Sequence, residues 1–375
     1  MATRFRNRST KIRYAVVGLG HIAQNAVLPA FEHAKNNSEL TALVSGDEEK
    51  LSRLSRAYGV EDIFTYDEYL ELLQSDLIDA VYIALPNHLH YKYVVAALEC
   101  GIHVLCEKPL ALNVDEARRM IKSAENNDCK LMTAYRLHFQ EANLKAMNIA
   151  RSGQLGDIRF FNSIFTMRVK NRNIRLERAK GGGPLYDIGI YCINAARSFF
   201  GELPEQVFAF NNRGYDQRFK EVDEMVSVNM KFSDGRMGNF VVSFSASPLA
   251  VYDVVGTQGS LRLESAYEYY EDMEMTITKP PGIKETRTFK KSDQFAPELL
   301  YFSDCVLNDR NPEPNASEGL LDLMVIEALQ HSLREGRPIR IPAFSKEGRP
   351  TLSQMIRRPP VKKPMMVHVS GPSRD

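Results

Sequence analysis

Along its first third the chain alternates short apolar runs with amphipathic stretches. Residues 12–17 are a β-rich run stopped by Gly18, and residues 22–35 carry helical spacing, with Pro29 expected to kink that helix or end it early. The alternation then recurs as a strand at 40–44, a helix at 48–58 ending at Gly59, a helix at 66–73 with Asp67 near its start, and a strand at 79–85 stopped by Pro86-Asn87. A helix at 89–99 with Gly101 beyond its end, a strand at 103–106, a helix capped by Asn113 and running to 126, and a strand at 130–134 complete the series. Strand and helix in turn predict a mostly parallel, doubly wound α/β sheet over residues 12–135.

The pattern changes after that point. A helix at 143–152 ends in Gly153 and Gly156, a long strand-like run covers 158–169, and a second helix runs from 185 to 200 and stops at Gly201. Five β-rich runs follow at 207–210, 225–232, 237–245, 252–255 and 260–263, joined by turns as short as Ser233-Asp234-Gly235. Such spacing predicts an open, mostly antiparallel sheet, so residues 136–341 read as an α+β domain for substrate binding and oligomerisation. A late helix at 320–333 is closed by Gly336-Arg337-Pro338. Residues 342–375 hold five prolines from Ala343 onward and many charges, and are expected to form an extended or disordered tail. Residues 1–11 read as a basic arm.

Composition narrows the partner. With 375 residues and a formal charge of +1 there is material for two cores, and no cation excess of the kind nucleic acids or anionic membranes require. A small molecule is the expected ligand. The five cysteines are widely spaced and form no Cys-x-x-Cys, which fits reduced thiols in a cytoplasmic protein better than disulfides or zinc. The basic start leads into a strand without the apolar segment of a secretory signal, and no run is long and apolar enough to span a bilayer.

Three stretches carry candidate chemistry. Gly18-Leu19-Gly20-His21-Ile22-Ala23, between the first strand and first helix, matches the dinucleotide fingerprint of a Rossmann domain: a tight turn, a close backbone approach to pyrophosphate, and a small third residue. At the end of the second strand, where NAD enzymes place an acid for the ribose hydroxyls, stands Ser45, followed by Gly46 and Asp47. Lys50 and Arg53 lie one turn apart on the next helix and could meet a 2′-phosphate, which favours NADP over NAD. Glu107-Lys108-Pro109 places an ammonium at a strand's carboxyl end, where open α/β sheets bind ligands. In Gly181-Gly182-Gly183-Pro184-Leu185-Tyr186-Asp187-Ile188-Gly189-Ile190-Tyr191 the glycines permit close backbone approach to a ligand, and Asp187, Tyr191 and Asn194 are spaced to share a helix face. Asn87, at a strand end, and His90, starting a helix, read as lining of a nicotinamide pocket. His88 and His90 without supporting ligands are poor evidence for a metal, and none is expected.

Together with Pro86-Asn87-x-x-His90, these motifs resemble the glucose–fructose oxidoreductase and inositol dehydrogenase (Gfo/Idh/MocA) family, in the same order and from about residue 13 to 341. The resemblance implies a dinucleotide domain followed by an α+β domain whose open sheet mediates dimers or tetramers. Many members carry histidine and aspartate where Tyr191 and Asn194 stand; the tyrosine version resembles the branch of glucose–fructose oxidoreductases, aldose dehydrogenases and dihydrodiol dehydrogenases. By this resemblance Lys108, Asp187 and Tyr191 are the catalytic residues, Lys108, Asp187, Tyr191 and Asn194 bind substrate, and Gly18, Gly20, His21, Ile22, Ala23, Ser45, Gly46, Lys50, Leu85, Pro86, Asn87, His90, Glu107, Lys108 and Arg136 contact the cofactor. The chain departs from the glucose–fructose oxidoreductases in lacking tryptophan and a secretory signal. The expected reaction is NADP-dependent oxidation of an aldose at its anomeric carbon to a lactone, with possible return of the hydride to a second sugar. A phenol with a pKa of about 10 is a poor base at neutral pH, and Lys108 is the one cation whose setting could favour the phenolate. Oxidation of a trans-dihydrodiol or cyclic polyol is the nearest alternative. A dinucleotide-sensing regulator without turnover is the alternative of another class; it would need none of Lys108, Asp187 and Tyr191.

Overall fold

The computed structural model describes residues 10–344 and 348–373. Residues 1–9 of the expected basic arm lie outside the described residues. Strands β1 (Ile12–Val17), β2 (Ser38–Val44), β3 (Asp62–Phe64), β4 (Ala80–Ile83), β5 (His103–Glu107) and β6 (Leu131–Ala134) form one parallel sheet in the order β3-β2-β1-β4-β5-β6. The register aligns Val17 with Val44 and Ile83, Ile83 with Cys106, and Cys106 with Thr133. The residues after these positions, Gly18, Ser45, Ala84, Glu107 and Ala134, therefore meet along one carboxyl edge. The order reverses between β1 and β4, which is where doubly wound sheets open a ligand crevice.

Local chemistry sets the helix ends. Asp47 caps α2 (Glu48–Tyr58) by accepting from Lys50 N at 3.0 Å, and Gly59 ends it in the left-handed region. Asn113 caps α5 (Val114–Asn126) through Glu116 N at 2.8 Å. The first helix departs from expectation. Residues Ala23–Val27 wind as a π turn, and α1 (Leu28–Ala34) begins after it with Pro29 in its first turn, where a missing N–H costs nothing. Pro29 thus falls where the α segment opens after the π turn, and the helix continues past it to Ala34. α3 (Tyr69–Gln74) and α4 (His90–Glu99) complete this part of the domain.

The second sheet has nine strands: β7 (Ile158–Thr166), β8 (Gln206–Asn212), β9 (Met225–Lys231), β10 (Met237–Ser243), β11 (Leu249–Gly256), β12 (Ser260–Glu264), β13 (Met273–Lys279), β14 (Ile283–Phe289) and β15 (Ile339–Arg340). All pairings are antiparallel except β7 with β10. A cross-strand row of Val228, Phe240, Ser163, Tyr252, Leu263 and Met275 is buried beneath α6 (Glu141–Arg151), α7 (Ile190–Phe200) and α9 (Ala316–Glu335). On the other face Phe210, Met225, Met237 and Leu249 are exposed.

Helix α8 (Ala296–Leu307) returns to the first domain. It packs on α1 and on β1 and β2, burying Phe295, Leu299 and Phe302 with Ile12, Tyr14 and Phe31. Residues 136–341 therefore contain segments belonging to both sheets, and the dinucleotide domain is finished by a helix nearly three hundred positions downstream of its first strand.

Candidate active site

The glycine turn is shaped for a phosphate. Gly18 has φ 95°, and a Cβ there would lie 2.7 Å from Ala84 O, so only glycine lets β1 and the end of β4 approach. A Cβ on Gly20 would meet nothing within 4 Å: that side of the turn faces open cleft, the space a pyrophosphate would fill. Ala23 is fully buried behind it. At the end of β2, Ser45 is buried and its Oγ accepts from Asp47 N at 3.2 Å, while Asp47 is engaged in capping α2. Gly46 lies under the Tyr66 ring. Lys50 lines the cleft with its Nζ 3.9 Å from Asp47, but Arg53 turns away to Glu49 at 3.2 Å. These residues fit a dinucleotide phosphate on backbone donors, and Lys50, paired to Asp47, brings a cation to the end of the cleft beside β2.

At the carboxyl end of β5, Glu107 accepts from the Tyr82 hydroxyl at 2.9 Å, and burial raises its pKa against the pull of Lys108. Lys108 reaches across to the second domain, donating to Asp187 O at 2.8 Å with Asp187 Oδ1 at 3.5 Å. Arg175 Nε donates to the other carboxylate oxygen, Oδ2, at 2.5 Å. Burial works against the Asp187 carboxylate, yet Arg175 and Lys108 together hold its pKa below the ordinary aspartate value. Tyr191 lies beside them, its ring centroid 4.7 Å from Lys108 Nζ and 5.1 Å from the Arg136 guanidinium carbon. Phe165 and Tyr267 hold the ring in place from the sheet side. Arg136 is buried and fixed by Gln294 Oε1 and Tyr267 O; burial would lower its pKa, but Tyr191 and Glu268 raise it on balance. All of this lines one cleft of about 1170 Å³ that runs from the glycine turn to Tyr191.

Most of the expected residues converge there: Gly18, Gly20, His21, Ile22, Ser45, Lys50, Leu85, Pro86, Asn87, Glu107, Lys108, Arg136, Asp187 and Tyr191 line the cleft. Burial and the repulsion of Arg175 and Lys170 depress the His21 pKa. Four expected residues do not line it: Ala23 is buried behind the turn, Gly46 lies against the Tyr66 ring, and His90 and Asn194 are elsewhere. His90 is fully buried, with Nδ1 2.9 Å from Pro109 O and Nε2 2.9 Å from Leu85 O, so it ties two loops together behind the cleft and does not line it. Asn194 donates to Glu318 and Asp322 at 2.9 Å each and meets His138 Nε2 at 2.7 Å, all under α9. The reason is helical phase. Tyr191 and Asn194 both lie on α7, past the π turn of Leu185–Gly189, and sit about 60° apart around its axis, with Asn194 on the side toward α9.

The triple glycine also serves a different end. What it lets approach is protein: a Cβ on Gly181 would strike Leu112 and Asn87, and one on Gly182 the Arg175 and Glu177 carbonyls. Asn87 Nδ2 donates to Gly181 O at 2.9 Å, joining the two walls of the cleft. Arg175 was not singled out from the sequence, because it stands in a strongly basic stretch, 168–180, without periodicity. Nor was Arg136 seen as a second cation against Tyr191; that contact exists only because β6 ends opposite α7. No group of three or more side chains suited to a metal occurs among the described residues, and none of the described helices is long and apolar enough to cross a membrane.

Comparison with known proteins gives the same picture. Residues 12–135 match the family model of oxidoreductases with an NAD-binding Rossmann fold, and residues 143–262 match the Gfo/Idh/MocA C-terminal domain. The chain is similar to the aldose–aldose oxidoreductase of Caulobacter crescentus, solved with glycerol, at a TM-score of 0.84 and 34% identity over 88% of this chain and 100% of that one. It is 30% identical to the D-xylose 1-dehydrogenase [NADP(+)] of Haloarcula marismortui, over 88% of this chain and 93% of the relative. A 3-ketoreductase of Actinomadura kijaniata, solved with NADP and TDP-benzene, superposes at a TM-score of 0.79 with 27% identity, over 86% of this chain and 98% of that one.

Proposed function

The chain belongs to the Gfo/Idh/MocA oxidoreductase family, and from that premise we propose that it is an NADP-dependent sugar oxidoreductase that oxidises an aldose at its anomeric carbon to a lactone. The carrying observation is the position of Tyr191 at the far end of the cleft, flanked by Lys108 Nζ at 4.7 Å and the Arg136 guanidinium at 5.1 Å. A bound nicotinamide would supply the hydride acceptor. Lys108 is placed to bind the oxygen of the reacting hydroxyl, and the proton of that hydroxyl passes to Tyr191 Oη. Asp187, clamped on one side by Arg175 and on the other by Lys108, has a fixed carboxylate with which to orient the sugar.

NADP rather than NAD is favoured because the one acid at the end of β2, Asp47, is engaged as a helix cap, while Lys50 lines the cleft. The reading is tested by following reduced nicotinamide absorbance with the purified protein, both cofactors, and a panel of aldoses and polyols. Turnover with an aldose and NADP supports it. Cofactor binding without turnover on any substrate would make the protein a sensor, and faster turnover with NAD would overturn the cofactor assignment. The open face of the second sheet, with Phe210, Met225, Met237 and Leu249 exposed, is where a second copy would pack. Light scattering at micromolar concentration should then report a dimer or larger, and a monomer would remove that element of the reading.

A further inference from the structure

The tail expected to be extended or disordered crosses the mouth of the cofactor cleft, and its attachments are specific. At the edge of the cleft it is held at Arg358, whose carbonyl accepts from Asp293 N at 3.2 Å and whose Nε donates to His33 O at 3.1 Å. Pro360, Val361, Lys363 and Pro364 then line the cleft. The next anchor is the strongest. Gln24, fully buried one residue beyond the glycine turn, accepts from Val367 N at 2.7 Å and donates to Val367 O at 2.9 Å. The same amide also donates to Leu19 O at 2.8 Å, inside the glycine turn itself. Val367 is 1% exposed. From there the chain passes over His21 at Gly371 and reaches the other domain, where Lys170 N donates to Pro372 O at 2.9 Å and Ser373 bridges Val169. Between Val367 and Pro372 it therefore spans the cleft from one wall to the other.

A segment merely lying on the surface would not have this form. A buried glutamine is costly unless its amide is satisfied, and here both of its polar atoms are used on one tail residue's backbone, as a neighbouring strand would use them. The tail also alters the charge beside the adenosine end. His368 Nδ1 lies 3.0 Å from Asp47 Oδ2 and its Nε2 3.1 Å from Glu49 Oε2, so it engages the two acids nearest the ribose position.

We propose that residues 360–373 are a strap that closes over bound NADP, with His368 drawing Asp47 and Glu49 away from the 2′-phosphate and release of the cofactor waiting on detachment of Val367 from Gln24. The inference rests on the reading that this cleft holds NADP. It makes the adenosine half of the site a three-walled channel, with Lys363 on the third wall as a further cation for the phosphate. Cofactor dwell time and cofactor choice are then properties of the tail as well as of the Rossmann turn.

The test is stopped-flow release of NADPH, followed by its fluorescence, from the full chain, from a chain ended after Arg358, and from full chains carrying Val367→Asp or His368→Ala. Release should be at least tenfold faster in the shortened chain and in Val367→Asp, and His368→Ala should lower the preference for NADP over NAD several-fold. An unchanged release rate in both would overturn the strap, as would tighter binding by the shortened chain, since the tail would then occupy the nucleotide's own place. A measurement on the unaltered protein guards against variants that fail to fold: tryptic cleavage after Lys362 should slow with saturating NADPH, and an unaffected rate counts against the proposal. If the full chain binds no NADPH, the reading of the cleft falls and the strap with it. If it binds and the tail changes nothing, the strap alone falls.

Discussion

The two flanks of α7 carry ion clusters of similar composition. Toward the cleft, Asp187 is held between Arg175 and Lys108; toward α9, Arg197 is held between Glu318 Oε1 at 3.0 Å and Asp322. In the first cluster the cations prevail over burial and the Asp187 pKa falls. In the second, burial prevails: Asp322 is pushed up although Arg197 touches it, with Glu318 adding repulsion. The second cluster is closed. Asn194 and Tyr135 bond its carboxylates and His138 bonds Asn194, all of them buried, so it holds α7 to α9 and presents little to a ligand. The first keeps capacity in hand, because Lys108 and Arg136 face the Tyr191 ring and the cleft. A buried charge cluster becomes a candidate for chemistry when part of its field is directed at a space a substrate can enter.

The sharpest way to break this comparison is to remove the hydroxyl on the cleft side. Tyr191→Phe keeps the packing against Phe165 and Tyr267 and should lower kcat by about 10²–10⁴, the loss expected for a general base, with NADP binding unchanged. Lys108→Ala should cost at least as much, since the ammonium that would meet the reacting oxygen and that bonds Asp187 O is gone. Near-normal turnover in Tyr191→Phe with an unchanged pH–rate profile would make Tyr191 a packing residue.

On the closed side the effect should fall on stability. Arg197→Leu strands two buried carboxylates and should cost about 3–5 kcal/mol in urea unfolding. Asn194→Ala leaves donors and acceptors unmet and should cost about 1–3 kcal/mol. KM for the sugar should stay as it was in Asn194→Ala; a large rise would return that residue to the substrate site.

A third buried acid separates the influence of burial from that of cations. Glu298, on α8, is fully buried, and neither carboxylate oxygen has a hydrogen-bond partner among the described residues. Burial, reinforced by Glu107, raises its pKa well above the usual value. The folded state thus holds this proton more tightly than the unfolded one, and stability falls as pH climbs from about 4.3, the ordinary glutamate value, toward the raised pKa. Asp187 has the opposite sign: its contribution is present above the ordinary aspartate value and is lost as pH falls through its depressed pKa. Melting temperatures of Glu298→Gln and the parent, compared in mildly acidic and mildly alkaline buffer, should show the variant gaining on the parent as pH rises. An equal offset at both would rule the linkage out.

The smallest expected effect concerns the adenosine end. Lys50→Ala should weaken NADP by about tenfold, the order of one charge-assisted contact, and leave NAD nearly unchanged in equilibrium titrations. Equal losses for both cofactors would remove Lys50 from the 2′-phosphate site.

Much of this architecture was legible in residue order because its signals are local. Alternating periodicity, the Asn113 and Asp47 caps, the Gly18 turn and the proline after Lys108 depend on neighbours only a few positions away. Most of what was missed lacked a local signal; β13 is the exception, since it alternates buried Met273, Met275 and Ile277 with more exposed residues. β14 is exposed along nearly all its length and carries no apolar alternation, and β3 has three residues. α8 is apolar over most of its surface because it lies between α1 and the sheet.

By itself the sequence determined the alternating domain, the glycine turn, the ammonium after β5 and the tyrosine that follows the triple glycine, since each is written in contiguous residues whose backbone preferences act alone. Tertiary structure decided which of the flanking charges meet. Packing set which side of α7 faces the cleft and which faces α9, and so sent Tyr191 to the one and Asn194 to the other. Packing of the two domains brought Arg175 and Arg136 to the same spot, and a buried glutamine drew the tail across the cleft. These are contacts between segments tens to hundreds of residues apart, and no local preference encodes which distant partner satisfies a buried charge or amide.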